Sequence, residues 1–221
     1  MQRTAIIVAG GSGQRFGSEI PKQLHLLAGK PILVWSIEKF KQAYADMTII
    51  LVVHPSLEAT IQDLLDKYHL KDVAIALGGA TRTESVKHGL ALAPKHGVIG
   101  IHDAVRPLVS ESVIKNCYET AAEKGSAIPA IPMVNSIREV DVTGQSRVVD
   151  RTKYKMIQTP QCFRAEWLHE AYRQTKEASF SDDASVVQSA NFSIFLVEGN
   201  VENIKITTPT DLLVANALIT H

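Results

Sequence analysis

The chain has 221 residues, of which 45% are hydrophobic and 21% are charged, and its 23 Lys and Arg residues balance 23 Asp and Glu residues. This length and composition predict one domain, residues 1–221, whose core needs no disulfide or metal. The zero net charge argues against a nucleic-acid coat, and the apolar runs are too short to span a bilayer. The N-terminus lacks the apolar core of a signal peptide. Cys117 and Cys162 are far apart in sequence and exclude a disulfide framework. We therefore expect a cytoplasmic protein with no membrane or nucleic-acid partner.

Short apolar runs alternate with segments of helical spacing. Seven runs predict strands buried on both faces: residues 4–9, 47–53, 73–77, 98–102, 126–132, 192–197 and 203–206. Three segments predict helices with one apolar face: residues 33–40, 57–68 and 113–121. Ser110 is placed to cap the third helix. A last helix is predicted to begin at Pro209, with Thr208 as its N-cap and Asp211 in its first turn.

This alternation predicts an α/β fold, with a mostly parallel Rossmann-like sheet and helices on both of its faces. Ligands in such sheets bind beyond the carboxyl ends of the strands, so the loops after strands are where functional residues are expected. Residues 135–153 depart from this order, because two polar, β-prone segments flank a turn at Thr143-Gly144. They predict a projecting β-hairpin arm. An isolated hairpin is marginally stable, so we expect this arm to pack on another surface.

The first predicted strand runs into a glycine-rich loop, residues 9–17, of a kind whose backbone N–H groups can approach phosphate closely. The loop fits none of three common motifs. A P-loop needs a glycine five residues before Gly29-Lys30, and none is there. A dinucleotide fingerprint needs a glycine where Phe16 stands. A nucleophile elbow needs a glycine where Gln14 stands.

Two cations distinguish this loop, since Arg15 lies inside it and Lys22 follows it closely. Fixed cations beside backbone donors suit a triphosphate, because they offset charge that builds up on the α-phosphate and the leaving pyrophosphate. The alternative interpretation is a solvated arginine and lysine on a flexible glycine loop.

Residues 9–15 together with Pro21-Lys22-Gln23 resemble the loop of sugar nucleotidyltransferases. Further segments follow in order: Gly78-Gly79 with Arg82 and Ser85, His102-Asp103-Ala104-Val105-Arg106-Pro107, Asp150-Arg151, Gln158-Thr159-Pro160-Gln161, Asp182-Asp183-Ala184-Ser185 and Asn203-Ile204-Lys205. This ordered set covers nearly the whole chain. It resembles the 2-C-methyl-D-erythritol 4-phosphate cytidylyltransferase family of the non-mevalonate isoprenoid pathway.

The resemblance implies an enzyme that transfers CMP from CTP to a polyol phosphate, uses Mg²⁺ and releases pyrophosphate. Arg15 and Lys22 would stabilise the pentavalent α-phosphorus. Arg151 and Lys205 would position the attacking phosphate. The nucleotide would be held by Ala9, Gly10, Gly11, Gly79, Ser85 and Ala104. The polyol phosphate would be held by Asp103, Arg106, Ser136, Thr159 and Ser181.

Two further implications concern the metal and the assembly. Mg²⁺ binds mostly through phosphate oxygens, so no protein ligand is assigned to it. A phosphate monoester is already anionic at neutral pH, so no general base is needed. The resemblance also implies a homodimer in which each arm brings Ser136 and Arg151 to the partner's substrate.

The chain departs from the family pattern at a few positions. Ala80 stands where an acidic residue is common, so any base or ribose contact there must come from the backbone. Asn135-Ser136 replaces a common Asp-Thr pair, and Ser181 replaces a common threonine. Ser136 and Ser181 keep a hydroxyl group.

Several of these residues also have purely structural interpretations. Asp103 could cap a turn, Arg106 could be a surface charge, and Asp150-Arg151 could be a salt-bridged rung of the hairpin. Asp182-Asp183 could be the first turn of a helix. Lys205 could be a solvent-facing strand residue. For His102 a structural role is expected.

Three other functions remain open at this stage. The main alternative is a ribitol 5-phosphate cytidylyltransferase, since related enzymes share the segments around Asp103 and Lys205. The others are a dinucleotide-dependent oxidoreductase and a non-catalytic nucleotide-binding module. The presence of both Arg15 and Lys22 speaks against the last, whereas the fold alone would not choose among them.

Overall fold

The computed structural model describes residues 1–10, 20–175 and 180–219. Within these residues the strands are β1 (Arg3–Ala9), β2 (Leu26–Leu27), β3 (Lys30–Pro31), β4 (Thr48–Val53), β5 (Ala74–Leu77), β6 (Val98–Asp103), β7 (Ser126–Pro132), β8 (Arg138–Val140), β9 (Ser146–Val148), β10 (Lys155–Ile157), β11 (Gln161–Arg164) and β12 (Leu196–Glu198). The helices are α1 (Ile32–Ala43), α2 (Glu58–Lys67), α3 (Arg82–Leu92), α4 (Glu111–Lys124), α5 (Ala165–Gln174), α6 (Asp183–Ser189) and α7 (Pro209–Ile219).

Eight strands form one mixed sheet in the order β10-β7-β11-β6-β1-β4-β5, with β12 paired to β7. β1 pairs in parallel with β4 on one side and β6 on the other, so that Ile6 lies opposite Ile50 and Ile101. β11 runs antiparallel to both of its neighbours, β6 and β7, and β10 runs antiparallel to β7. The predicted mostly parallel α/β sheet is therefore confirmed, with two strands reversed.

Helices cover both faces of the sheet, as predicted. Ile7 and Leu51 face the core layer that also holds the buried side chains of α1, α2 and α4. Ile6 and Ile50 face the opposite layer, which holds those of α3, α5 and α6. Successive residues of a strand point to opposite faces, so strands buried on both sides are continuously apolar. This is why the central strands were recognisable in the sequence.

Capping residues set the beginnings of two predicted helices. The Ser110 hydroxyl accepts the Val113 N–H at 3.2 Å and caps α4. Thr208 caps α7, because its hydroxyl accepts the Asp211 N–H while the Asp211 carboxylate accepts the Thr208 N–H. Both predictions are confirmed.

The prediction was wrong at the chain's later strands. Residues 203–206 form no strand, because Ile204 closes a turn on Glu202 and only the Ile206 N–H reaches the Val105 carbonyl. Within residues 192–197, only the last two belong to β12.

Several elements were missed in the sequence, namely the strands β2, β3, β10 and β11 and the helices α3 and α5. β10 and β11 are short and carry polar residues. Helix α3 contains Gly89, which weakens a helical pattern but brings the helix close to the sheet. A Cβ at that position would lie 2.8 Å from Ile6 Cγ2, so glycine allows the close approach.

The predicted arm forms an exposed hairpin, with β8 pairing antiparallel to β9. The Asp141 carboxylate accepts the N–H groups of Thr143 and Gln145, and Gly144 takes a positive φ of 83° in the turn. The interpretation of Asp150-Arg151 as a salt-bridged rung was wrong. Asp150 instead caps the turn Arg151–Lys153 through Thr152, and Arg151 donates to the Val134 carbonyl.

Two remaining features concern cysteines and membranes. Cys117 and Cys162 are both free and buried, and although they are distant in sequence they are neighbours in the core. No helix among the described residues is long and apolar enough to cross a bilayer.

Candidate active site

A cavity of about 450 Å³ lies at the carboxyl ends of β1, β4, β5 and β6. Beside β1 the strand order changes direction, since β4 and β5 follow on one side and the chain then crosses over to β6 on the other. Ligands bind at such a point in open α/β folds. The predicted site residues that line it are Ala9, Gly10, Lys22, Gly79, Ser85, Asp103, Ala104 and Lys205. The fold thus brings together members of all four predicted groups, those for the α-phosphorus, the attacking phosphate, the nucleotide and the polyol phosphate. Gly11 and Arg15 fall within residues 11–19, outside the described residues.

The loop after β5 forms one wall of the cavity. The Ser85 hydroxyl accepts the Gly79 N–H at 3.1 Å and donates to the Thr81 carbonyl at 2.9 Å. Ser85 therefore fixes the loop backbone as well as lining the cavity. A Cβ on Gly79 would lie 2.5 Å from the Cβ of Glu84, so this position requires glycine.

The N-terminus of α3 is closed by a capping box between Thr81 and Glu84. The Glu84 carboxylate also accepts the Ala80 N–H at 2.8 Å. The sequence indicated that a contact at Ala80 must use the backbone. Because the N–H group is already bonded within the loop, only the Ala80 carbonyl remains for a ligand.

The opposite wall is held by buried polar side chains. Gln23, which follows Lys22 in a short 3₁₀ turn, donates from Nε2 to the Ala9 carbonyl at 2.9 Å. Ser36 donates to the Ala104 carbonyl at 2.8 Å, and the Ala104 N–H donates to Val8. These bonds fix the ends of β1 and β6 where the cavity begins. Gln23 was not among the predicted site residues, although it belongs to the Pro21-Lys22-Gln23 motif.

Asp103 carries the negative charge of the described cavity wall. Its Oδ2 lies 3.0 Å from Lys205 Nζ and 3.4 Å from Arg106 Nε. Burial raises the pKa of Asp103, but Lys205, Arg82 and Arg106 outweigh it and lower the pKa to about 2. The carboxylate is therefore ionised at neutral pH. The purely structural interpretations of three residues were wrong. The Asp103 side chain forms ion pairs rather than capping a turn, and Arg106 is no surface charge, since its side chain is only 13% exposed. Lys205 belongs to no strand.

A second ion pair on the cavity wall was not predicted. Arg82 lines the cavity and forms two bonds to the fully buried Asp183, Nη1–Oδ1 at 3.0 Å and Nη2–Oδ2 at 2.5 Å. Tyr172 donates its hydroxyl to the same carboxylate at 2.6 Å. The Asp183 charge raises the pKa of Arg82 despite its burial, and burial raises the pKa of Tyr172 well above its usual value. The helix-start interpretation is confirmed for Asp182, which caps α6, whereas Asp183 faces inward.

The other predicted residues lie outside the described cavity wall. Arg106 and Thr159 lie behind Asp103, and the Thr159 hydroxyl accepts the Asp103 N–H at 3.1 Å. Ser181 is exposed beside Ser185. Ser136 and Arg151 are exposed in the arm. Within one chain, therefore, the described structure does not bring the arm residues to the cavity lining.

The described lining of the cavity offers a divalent cation few protein ligands. Asp103 is the single acidic side chain among the described lining residues, and Lys205 already occupies its Oδ2. The described residues contain no group of three metal-ligating side chains. Mg²⁺ readily binds through substrate phosphates and water, so a triphosphate would supply its ligands here.

The family model for 2-C-methyl-D-erythritol 4-phosphate cytidylyltransferase matches residues 3–221. The chain belongs to this family. A cytidylyltransferase of that name from Phocaeicola vulgatus is 48% identical over 220 residues, which are 99% of this chain and 100% of the relative.

Two solved structures with cytidylyltransferase names share the fold over the full chain. The 4-diphosphocytidyl-2C-methyl-D-erythritol synthase of Anaerococcus prevotii has a TM-score of 0.85 and 27% identity, and covers 100% of this chain and 99% of its own. The 2-C-methyl-D-erythritol 4-phosphate cytidylyltransferase of Thermus thermophilus has a TM-score of 0.81 and 30% identity, with 100% of both chains covered. The resemblance stated from the sequence is thereby confirmed.

Proposed function

We propose that the chain transfers CMP from CTP to 2-C-methyl-D-erythritol 4-phosphate, giving 4-diphosphocytidyl-2-C-methyl-D-erythritol and pyrophosphate. The observation that carries this proposal is the joint placement of Lys22, Ser85 and Lys205 on one cavity at the carboxyl ends of the strands. The names of the relatives support the same reaction.

The nucleotide occupies the half of the cavity formed by the end of β1 and the loop after β5. It is bound there by Ala9, Gly10, Gly79, Ser85 and Ala104, together with Gly11, which lies outside the described residues. The small side chains allow backbone groups to approach the base, ribose and phosphates closely. The buried bonds of Gln23 and Ser36 keep these strand ends in place before the nucleotide binds.

The reaction requires a dianionic phosphate to approach a triphosphate. Lys22 and Arg15 offset the charge that develops on the α-phosphorus and the leaving pyrophosphate. The attacking oxygen is already ionised, so the chemistry depends on placement in line and on charge, and no general base takes part. Mg²⁺, held by the nucleotide, offsets further phosphate charge when it is bound.

The polyol phosphate occupies the half of the cavity beside Asp103. The ionised Asp103 carboxylate accepts hydrogen bonds from polyol hydroxyls, while Lys205 contacts the phosphate. Arg106, Thr159 and Ser181 complete this half. Arg106 and Thr159 support Asp103 from behind, since Arg106 donates to its carboxylate and the Thr159 hydroxyl accepts its N–H.

The remaining contacts come from the arm of a second copy in a homodimer. Arg151 is a cation suited to a phosphate, yet it is exposed and lies away from the described cavity lining of its own chain. The arm and β10 also expose a group of large apolar side chains: Val134, Val140, Val142, Val148, Tyr154, Met156 and Ile157. So many exposed apolar side chains in one segment favour burial against a partner. Each arm then brings Ser136 and Arg151 to the partner's cavity.

We further propose that the chain is one catalytic domain, residues 1–221, with the arm at about residues 135–153. It works in the cytoplasm, where a reducing environment suits the two free buried cysteines.

Pyrophosphate release tests this function. The purified protein is incubated with CTP, Mg²⁺ and one of a panel of phosphates that includes 2-C-methyl-D-erythritol 4-phosphate and ribitol 5-phosphate. We expect turnover with the first at a much higher kcat/KM than with the second, and loss of turnover after chelation with circular dichroism unchanged. Preference for ribitol 5-phosphate, or no pyrophosphate with either, would overturn the substrate assignment.

A further inference from the structure

His102 immediately precedes Asp103 in β6, and its side chain is fully buried rather than at the cavity surface. Its ring packs edge-on against Phe40, with 4.9 Å between the ring centroids. Both ring nitrogens are nevertheless bonded. Nε2 lies 3.1 Å from the Arg106 carbonyl oxygen, and Nδ1 lies 3.0 Å from the Thr159 hydroxyl.

These partners fix where the protons are. A carbonyl can only accept, so Nε2 carries a proton and donates it to Arg106. Burial lowers the pKa of His102 to about 4, so the ring is neutral and Nδ1 is an acceptor. The Thr159 hydroxyl therefore donates to Nδ1. Its own lone pair accepts the Asp103 N–H at 3.1 Å.

Asn203 closes the network. Its Nδ2 donates to the Thr159 carbonyl at 2.9 Å, and its own carbonyl accepts from Arg106 Nη1 at 2.8 Å. The hydrogen bonds thus run from Asp103 through Thr159 and His102 to Arg106, and from Arg106 through Asn203 back to Thr159. Three separate chain segments meet in this ring, and the segment after Asn203 carries Lys205.

We infer that His102 is a positioning residue for the polyol-phosphate half of the site: it sets the backbone at Asp103 and Arg106 through one donated and one accepted hydrogen bond. This inference rests on the proposed function for the identity of the substrate. Asp103 and Arg106 belong to one short turn, and the Arg106 N–H bonds to the Asp103 carbonyl. A displaced turn therefore moves both of these side chains together. Ala104 lies in the same turn and belongs to the nucleotide wall, but it is held by bonds of its own, from Ser36 to its carbonyl and from its N–H to Val8. The rest of the nucleotide wall, around Gly79, is likewise held by separate bonds.

An apolar side chain would fill the same volume but would leave polar partners without bonds. The Arg106 carbonyl and the Thr159 hydroxyl would then lose their partners in a buried setting, which is costly. Two substitutions separate the contributions. His102→Gln keeps an amide N–H long enough to reach the Arg106 carbonyl, whereas His102→Asn is too short to reach it.

Steady-state kinetics test the inference by the separate KM values for the two substrates. For His102→Asn we expect the KM for 2-C-methyl-D-erythritol 4-phosphate to rise about tenfold, which is the change that corresponds to the loss of one buried hydrogen bond. The KM for CTP is expected to change by less than about twofold. His102→Gln is expected to recover most of the loss. His169→Asn is the matched control, since it also removes a bond from a histidine Nε2 to a carbonyl, 3.1 Å away at Pro94.

Equal rises in both KM values, or unchanged kinetics in a folded His102→Asn protein, would overturn the inference, because a merely structural residue gives one or the other. A second measurement uses the wild-type protein alone, so it depends neither on the folding of a variant nor on enzymatic turnover. Nitrogen NMR of the wild-type protein near neutral pH is expected to show His102 protonated at Nε2 alone. Protonation at Nδ1 would overturn the inference. If the wild-type protein fails to use CTP while this tautomer is found, the proposed function fails and the hydrogen-bond assignment stands.

Discussion

Lys205 Nζ lies 3.0 Å from Asp103 Oδ2. This ion pair joins the loop before α7 to the end of β6 at the cavity. The Asp103 side chain is 13% exposed and the Lys205 side chain 43% exposed, so the carboxylate is partly desolvated while the cation still reaches the cavity. The pair holds Lys205 at the cavity, as its proposed contact with a substrate phosphate requires, and keeps Asp103 ionised.

Lys205→Gln is expected to lower kcat/KM for the polyol phosphate by roughly 10²-fold, because a charge-assisted phosphate contact is lost. The KM for CTP should change little. Lys205→Arg keeps the charge and is the control. Wild-type kcat/KM in the glutamine variant would contradict the role given to Lys205.

The buried ion pair between Arg82 and Asp183 leads to a prediction about stability. Arg82→Met leaves the fully buried Asp183 carboxylate without its cation, which should lower the free energy of unfolding by about 3 kcal/mol or more. The double variant Arg82→Met/Asp183→Leu should regain much of this loss, since no charge is then left buried. Urea unfolding measures both values.

Arg173→Met provides a matched control, because Arg173 forms a similar two-bond pair with Glu170 on the exposed face of α5. This variant should unfold at nearly the wild-type urea concentration. If Arg82→Met were as stable as Arg173→Met, the Asp183 pair would have no special energetic importance.

The burial of His102 makes the protein's stability depend on pH. The pKa of His102 is lowered from 6.5 to about 4, so the unfolded chain binds this proton more readily than the folded protein does. The stability that the neutral, buried His102 contributes is fully present above its unfolded pKa of 6.5, and it is lost as the pH falls toward 4. From about pH 7 to about pH 5 the free energy of unfolding should fall by about 2 kcal/mol from this group.

His102→Gln removes the titrating group and should flatten the pH dependence over this range. The neighbouring charges, Asp103 and Arg106, remain in the variant, and the Asp103 pKa of about 2 places its own titration below the range. Urea unfolding of both proteins at several pH values gives the two slopes. Identical slopes would show that His102 does not titrate as described.

Sites shared between two subunits predict recovery of activity on mixing. Lys22→Ala is expected to lower kcat by roughly 10²-fold or more, since the contact proposed for Lys22 is made mostly in the transition state. Arg151→Ala is expected to be similarly impaired. After subunit exchange, about half of the dimers are mixed, and each mixed dimer has one site with both defects and one with neither.

Roughly a quarter of wild-type sites should therefore return when equal amounts are mixed. Two batches of Lys22→Ala protein carrying different tags control for exchange without complementation. If mixed dimers form and activity stays at the level of the single variants, Arg151 acts within its own subunit or has no part in the reaction.

The sequence was most informative where local chemistry and burial agree. The continuously apolar β1 and β4, the caps at Ser110 and Thr208, and the loops after the strands were all recognisable, because each depends on neighbouring residues or on burial on two faces. Contacts between distant segments were not. Nothing near Arg82 in the sequence indicates that its partner is Asp183 on α6.

The same limit explains the errors in the sheet. β11 inserts between β6 and β7 in the antiparallel direction, and only tertiary packing decides this for a strand of four residues. Ile204 and Ile206 alternate with Lys205 as in a strand, yet the segment serves to carry Lys205 to Asp103. The fold could therefore be predicted in outline, whereas the pairings within the site required the structure.

The most direct test of the central claim follows the oxygen atom that forms the new bond. 2-C-methyl-D-erythritol 4-phosphate carrying a heavy-oxygen label on its phosphate is incubated with CTP, Mg²⁺ and the protein, and the products are analysed by phosphorus NMR. In-line attack by the substrate phosphate on the α-phosphorus predicts a labelled bridging oxygen in 4-diphosphocytidyl-2-C-methyl-D-erythritol and unlabelled pyrophosphate. Label in the pyrophosphate, or free CMP with the labelled substrate left unchanged, would contradict the reaction proposed for this chain.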